Sequence, residues 1–413
     1  MKIALTGTRL LQSILCAAVF FNLSSPADAA DKTKALKPGS SPTKNFYEWV
    51  NHDWLTTTDI PADKPGVNNF ISIRDQVNKE LAGLLTTLSA KQNPTDSDVK
   101  ISRIYQSYID MERRNAQGIS PLLPDLRRID SAKTYDDIAV LFASMQMIGV
   151  GSPIVLEPSS DFKNSDSMIV FVSQYGLGLE RESYLQDDER STKTRQSYLE
   201  ALTQLFTLAA VTDPAGSAAD VLRLEKDLAA IQWSKTDNRD LSKIYNITNY
   251  TGLKGTFTNF NLDLYIAELG MPTGYPFNQM QPNYITSFNT MFTAKSVAQW
   301  RTYLKAQLLF SYAKLLDSKF KDVIVRFEIN RGLYEKEEPL QNQGVIYVNK
   351  NVGMLLGKTY IENTFDPEIK HRLEGVIKNI SDEYRIAINE SKRMQTETKK
   401  KAIEKLEKIT YMV

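Results

Sequence analysis

The chain has 413 residues and a formal charge of +1 from 50 basic and 49 acidic side chains. It is therefore long enough for one large or two average domains, and it has no global field that would gather nucleic acid or an anionic membrane. A single cysteine, Cys16, excludes a disulfide framework, and only two histidines, His52 and His371, are available for imidazole chemistry.

Residues 1–29 read as a signal peptide. Lys2 and Arg9 form a basic start, residues 10–23 are apolar with few interruptions, and Ala27-Asp28-Ala29 offers a small-residue cleavage site. The apolar run falls short of the roughly 20 residues that a transmembrane helix needs; an uncleaved anchor is the alternative. Cys16 lies inside this run, so the mature chain carries no thiol. Export without disulfides points to the periplasm or cell surface of a bacterium. Residues 30–44, with Pro38, Gly39, Ser40, Ser41 and Pro42, read as a flexible tether.

The folded region is expected over residues 45–413. It opens on NFYEWVNHDWLTTTDIPADKPGVNNFISIRDQVNKEL, residues 45–81. There Phe46, Tyr47, Trp49 and Trp54 fall on both sides of one turn, as in a segment clamped against something larger than a local helix. Ile73, Val77, Leu81, Leu84, Leu85 and Leu88 keep helical spacing, and so do Ile101, Ile104, Tyr105 and Tyr108 after a start at Asp96 or Ser97. Residues 136–148 give a third helix. Residues 153–156 and 167–174 are β-rich and predict an antiparallel pair. Helical periodicity returns over 192–210, 218–231, 296–316 and 324–334. Residues 345–348 are β-branched but too few to assign. The run 366–394 is strongly amphipathic, with Ile369, Leu373, Val376, Ile380, Tyr384 and Ala387 on one face. A last helix restarts near Glu397 or Thr398, its Lys399-Lys400-Lys401 run on the solvated face. The pattern predicts a mainly α fold, a large helical lobe with one small antiparallel β pair.

Catalytic signatures do not emerge from the residues themselves. Two ligands one helical turn apart would suit zinc, but His371 and Glu374 form an H-x-x-E spacing without a second histidine, and His52 stands alone. There is no G-x-S-x-G elbow. The nearest glycine cluster, Gly176-Leu177-Gly178, lacks both the third glycine and the following helix of a phosphate loop.

Four blocks in order resemble the neprilysin family of zinc metallopeptidases. Phe46, Tyr47, Asn51, Trp54, Leu55, Ile60 and Pro61 look like its F-Y-x-x-x-N-x-x-W-L segment followed by I-P. Gln174, Gly176, Leu177, Leu179 and Tyr184 resemble its Q-x-G-L-x-L-P-x-R-x-Y-Y block, without the proline. Trp233, Asn238-Arg239-Asp240 and Tyr245-Asn246 resemble its W, R-D and Y-N positions. Leu356-Gly357, Tyr360-Ile361-Glu362 and Phe365 resemble its L-G-x-x-Y-V-E-x-x-F block. The resemblance implies the family's non-catalytic lobe, truncated before the zinc catalytic domain that carries H-E-x-x-H. It implies no catalytic residue and no metal ligand in this chain, with zinc the cofactor of the full-length family and small peptides its substrates. The family also places an arginine four residues before the phenylalanine of the first loop, where it helps hold the C-terminal side of a bound peptide, and an aspartate just after that phenylalanine. Here those positions are Gly66 and Ile71, flanking Phe70, so substrate-binding residues are unassigned. Two other readings stay open: one lobe of a split peptidase completed by a separate catalytic chain, and a non-enzymatic periplasmic peptide-binding module.

Overall fold

A computed structural model describes residues 41–364 and 366–413. The expected signal peptide with Cys16, tether residues 30–40 and Phe365 lie outside the described residues. The architecture is mainly α, with one small sheet. It divides into two compact units, the first running up to Ile71 and over Asp110–Glu338, the second comprising Ser72–Ile109 and Pro339–Val413.

In the first unit the expected helices are Tyr135–Met147, Glu189–Leu208, Pro214–Ile231, Val297–Tyr312 and Ser318–Asn330. Their starts follow from capping chemistry. Thr134 and Asp137 form a reciprocal capping box, as do Ser296 and Gln299. Asp317 caps the Phe320 amide and so begins its helix six residues before the predicted 324. Shorter helices with no clear period, such as Leu262–Glu268 and Pro282–Ala294, complete the packing. The core is aromatic: Phe142, Phe260, Phe288, Phe292 and Trp300 lie with ring centroids 5.0–6.5 Å apart. Trp300 is fully buried and satisfies its indole N–H on the Phe292 carbonyl at 2.9 Å. The buried Arg114 guanidinium donates to the carbonyls of Leu316 (3.0 Å) and Lys314, closing the chain end that follows the Val297–Tyr312 helix.

The predicted pair is β1 (Ile154–Ser160) and β2 (Met168–Gln174), antiparallel from Ile154 opposite Gln174 to Ser160 opposite Met168. Two short strands missed in the sequence extend it: β3 (Ile247–Thr248) and β4 (Phe277–Gln279), in the order β1-β2-β4-β3, with β4 parallel to β2. Two and three residues are too few to show a period of two. The β1 edge is closed by side chains. Gln146 donates to the Leu156 carbonyl (2.7 Å) and accepts from the Leu156 amide (3.2 Å), Tyr265 donates to the Ile154 carbonyl (3.1 Å), and Pro158 has no N–H to offer.

The second unit has its own core, where Leu81, Leu85 and Leu88 of the Asn69–Ser89 helix meet Ile101 and Tyr105 of Asp96–Ile109 and Val345, Val348 and Leu356 of Leu340–Thr364. The β-branched stretch 345–348 is thus one buried turn of a helix, where burial overrides propensity. That helix is interrupted at Val352 (φ −138°, ψ 34°). Pro367–Glu390 and Thr396–Glu407 form a helical hairpin, tied by Arg385–Glu407 (2.8 Å) and by Lys399 on the Asn389 carbonyl (2.6 Å). The amphipathic stripe read from the sequence is there but uncovered: Leu373, Val376, Ile380 and Tyr384 are 45–60% exposed.

Candidate functional site

The opening stretch, whose aromatics suggested a segment clamped against something larger than a local helix, is itself a helix. Phe46–Thr57 is capped by the Asn45 side chain on the Glu48 amide. None of its residues is buried, and Phe46, Tyr47, Trp49, Val50 and Trp54 are 39–65% exposed. The loop that follows is stapled within the first unit. The Ala62 carbonyl accepts from the amides of Glu335 (2.8 Å) and Lys336 (2.9 Å), and buried Lys64 pairs with Glu338 at 2.6 Å. Gly66 faces open space, and Phe70 is 86% exposed. Asn68 accepts from the Ile71 amide at 2.9 Å. No guanidinium stands at Gly66 to grip a peptide carboxylate, and glycine cannot replace one.

Two of the sequence blocks interlock although 59 residues separate them. The Gln174 amide is bidentate on the Trp233 backbone, donating to its carbonyl (3.0 Å) and accepting from its N–H (2.7 Å). Gln232 donates to the Tyr175 carbonyl at 2.9 Å. Asn238 accepts from Gln281 (2.8 Å), whose Oε1 accepts from the Gln174 backbone N–H (3.0 Å). Asn246 donates through Nδ2 to the carbonyls of Lys243 (2.7 Å) and Gln279 (3.0 Å). These positions therefore fasten β2, β4 and the 233–246 segment into one polar frame.

The two glycines of the Gly176-Leu177-Gly178 turn are there for close approach. Gly176 has φ +83°, and a Cβ on it would lie 2.3 Å from the Tyr303 hydroxyl; one on Gly178 would lie 1.9 Å from the Tyr198 hydroxyl. The turn covers Glu225, whose side chain is wholly buried. Glu225 accepts from Tyr184 (2.7 Å), Tyr198 (3.1 Å), Gln307 (2.6 Å) and the Gly178 amide. Burial pushes its carboxyl from 4.5 up to about 7, against the downward pull of those donors. Burial beside Glu225 likewise raises the Tyr184, Tyr198 and Tyr303 hydroxyls well above 10. A carboxyl sealed from solvent cannot meet a substrate, so this cluster is not a catalytic acid–base pair. The sequence did carry its signal: Glu225 interrupts the apolar face Val221, Leu224, Leu228 of the Pro214–Ile231 helix.

His371 is exposed, with Nδ1 3.9 Å from Glu374. His52 lies on the Phe46–Thr57 helix. Among the described residues no group of three His, Cys, Asp or Glu side chains could hold a metal ion. No described helix is long and apolar enough to cross a membrane. An open groove of about 380 Å³ is lined by Gln204, Thr207, Leu208, Lys319, Asp322, Val323 and Arg326. It has no histidine or thiol, and Arg326 is held by Gln204 at 2.9 Å.

Comparison with known proteins matches residues 42–413 to the N-terminal family model of peptidase family M13. Among curated relatives, the chain is 21% identical to neprilysin-1 of Caenorhabditis elegans over 91% of this chain and 53% of that protein. It is 23% identical to neutral endopeptidase of Lactobacillus helveticus, over 89% of this chain and 57% of that one. The chain thus spans about half the length of the curated relatives it matches. Among solved structures, zinc metalloprotease Zmp1 of Mycobacterium tuberculosis with an inhibitor superposes with a TM-score of 0.83 at 25% identity, over 91% of this chain and 57% of that one. PepO of a Lactobacillus species gives 0.77 at 17% identity, over 89% and 59%.

Proposed function

The chain belongs to peptidase family M13, and from that premise we propose that it is the non-catalytic region of a neprilysin-like zinc metalloendopeptidase acting on small peptides outside the cytoplasm. Residues 45–413 form this region, and the signal peptide over 1–29 directs its export. The observation that carries the reading is the superposition on Zmp1, which takes in 91% of this chain but only 57% of that zinc metalloprotease. On this reading the zinc ligands and the general base lie on the family's H-E-x-x-H segment, a motif that the 413 residues do not contain. Zinc bound there supplies an activated water and a polarised peptide carbonyl. The chain's own part is to shape the access to that site. By itself it is inactive.

The exposed apolar faces fit this division of labour. Leu373, Val376, Ile380 and Tyr384 on one unit, and Phe46, Trp49 and Trp54 on the other, leave large side chains in water. Contiguous exposed apolar surface of this kind marks an interaction site. The reading of a free-standing peptide-binding module is weaker, because the β1 edge is already occupied by Gln146, Tyr265 and Pro158. Strand addition, a common route to peptide affinity without deep pockets, is closed there. The direct test is to translate the DNA beyond codon 413 in all frames and in neighbouring genes. An H-E-x-x-H within about 250 codons, one further domain, is expected; finding none in either place removes the proposal's main support.

A further inference from the structure

Glu225 is the one carboxyl in the first unit sealed completely from solvent among the described residues. The groups that hydrogen-bond to it or act on it directly are neutral. Tyr184 comes from the Arg181–Leu185 helix, Tyr198 from Glu189–Leu208, Gln307 and Tyr303 from Val297–Tyr312, and the amide of Gly178 from the turn above. No lysine or arginine pairs with it among the described residues; Arg331 interacts electrostatically with Tyr184 of the cluster. A buried charge without a counter-ion is expensive, and such a group tends to neutralise instead.

The hydrogen bonds show how it can do so without breaking the fold. The Tyr184 hydroxyl accepts from the Leu179 amide at 3.0 Å and must give its own proton to Glu225 Oε2. Gln307 is fixed between the Gly176 carbonyl (3.3 Å) and Glu225 Oε1 (2.6 Å). Tyr198 has the longest bond of the set, 3.1 Å to Oε1, and a hydroxyl hydrogen can rotate. We propose that Glu225 is a proton-binding latch: it takes up a proton from water as the first unit folds and carries it on Oε1, on the side of Tyr198, within the cluster that ties the Gly176–Leu179 turn to three helices. The carboxyl's rise from 4.5 to about 7 agrees with this.

The sign of the linkage follows from that rise. Between 4.5 and about 7 the folded state binds more protons than the unfolded state, so stability falls as pH rises through this window and levels off above it. The test compares the full chain with Glu225→Gln, a neutral side chain of the same shape, by denaturant unfolding from about pH 5 to about pH 8. The folding constant of the unaltered chain, relative to the variant, should fall on the order of a hundred-fold across that range. Parallel curves for the two proteins would overturn the latch. Should the variant not fold, infrared spectroscopy of the unaltered chain decides: a protonated-carboxyl band present near pH 6 and gone near pH 8 supports the latch, and its absence near pH 6 overturns it. Tyr198→Phe, which removes a donor to the carboxylate, should move that band's loss to higher pH; a fixed transition would assign the proton to another group.

Discussion

Replacing Gln174 by alanine isolates the frame that joins β2 to the segment after the Pro214–Ile231 helix. The substitution strands the Trp233 N–H, which Gln174 Oε1 satisfies at 2.7 Å, and leaves the Trp233 C=O, now bonded by Gln174 Nε2 at 3.0 Å, with only the 3.4 Å bond from Asn238. Each hydrogen bond contributes about 1 kcal/mol net, and a partly buried group left without a partner costs about 1–3 kcal/mol. Gln174→Ala should therefore destabilise the first unit by roughly 2–4 kcal/mol. Gln174→Glu keeps the acceptor for the Trp233 N–H but sets a carboxylate against the Trp233 carbonyl, so it should cost at least as much at neutral pH and recover on acidification as the carboxyl regains a donor proton. Guanidinium unfolding followed by tryptophan fluorescence is the assay. All four tryptophans, Trp49, Trp54, Trp233 and Trp300, belong to the first unit, so the transition reports on it. A loss below about 0.5 kcal/mol for the alanine variant, within the range of an ordinary surface change, would refute the reasoning.

Gly178→Ala places a Cβ 1.9 Å from the Tyr198 hydroxyl and should cost about 3 kcal/mol by overpacking; adding Tyr198→Phe should recover part of the loss, and unfolding midpoints of the single and double variants measure it. Leu373→Glu with Ile380→Glu alters side chains already 45% and 52% exposed. The pair should leave the unfolding midpoint of the isolated chain within about 0.5 kcal/mol per site, yet abolish association with a catalytic polypeptide in a binding titration.

Much of the fold could be read from periodicity. The helices with a stripe of leucine and isoleucine, such as Pro214–Ile231 and Asn69–Ser89, lie where spacing placed them, because burying one face dictates the period of 3.6. The Phe46–Thr57 helix was missed because none of its residues is buried, so its aromatics follow no single face. Strands β3 and β4 were missed because they owe their place to Asn278, whose buried amide bonds the Asn246 N–H and the Ile244 carbonyl, and such a partnership leaves no local pattern. The stripe Ile369, Leu373, Val376, Ile380, Tyr384 was legible as amphipathic, but a sequence cannot say whether a stripe is covered. The family blocks were read as motifs without a physical reason. The structure gives one for Gln174, Gly176 and Tyr184, which interlock with Trp233, Tyr303 and Glu225.

The central claim is that this chain is the non-catalytic part of a zinc peptidase. Zinc content and hydrolysis of a fluorogenic peptide, measured on the purified chain alone and after mixing or fusing with an M13 polypeptide that carries H-E-x-x-H, test it most directly. The account predicts no stoichiometric zinc and no cleavage for the chain alone, and one zinc with cleavage exceeding that of the catalytic polypeptide by itself once the two are joined. Zinc-dependent cleavage by the chain alone, or no gain on joining them, would contradict it.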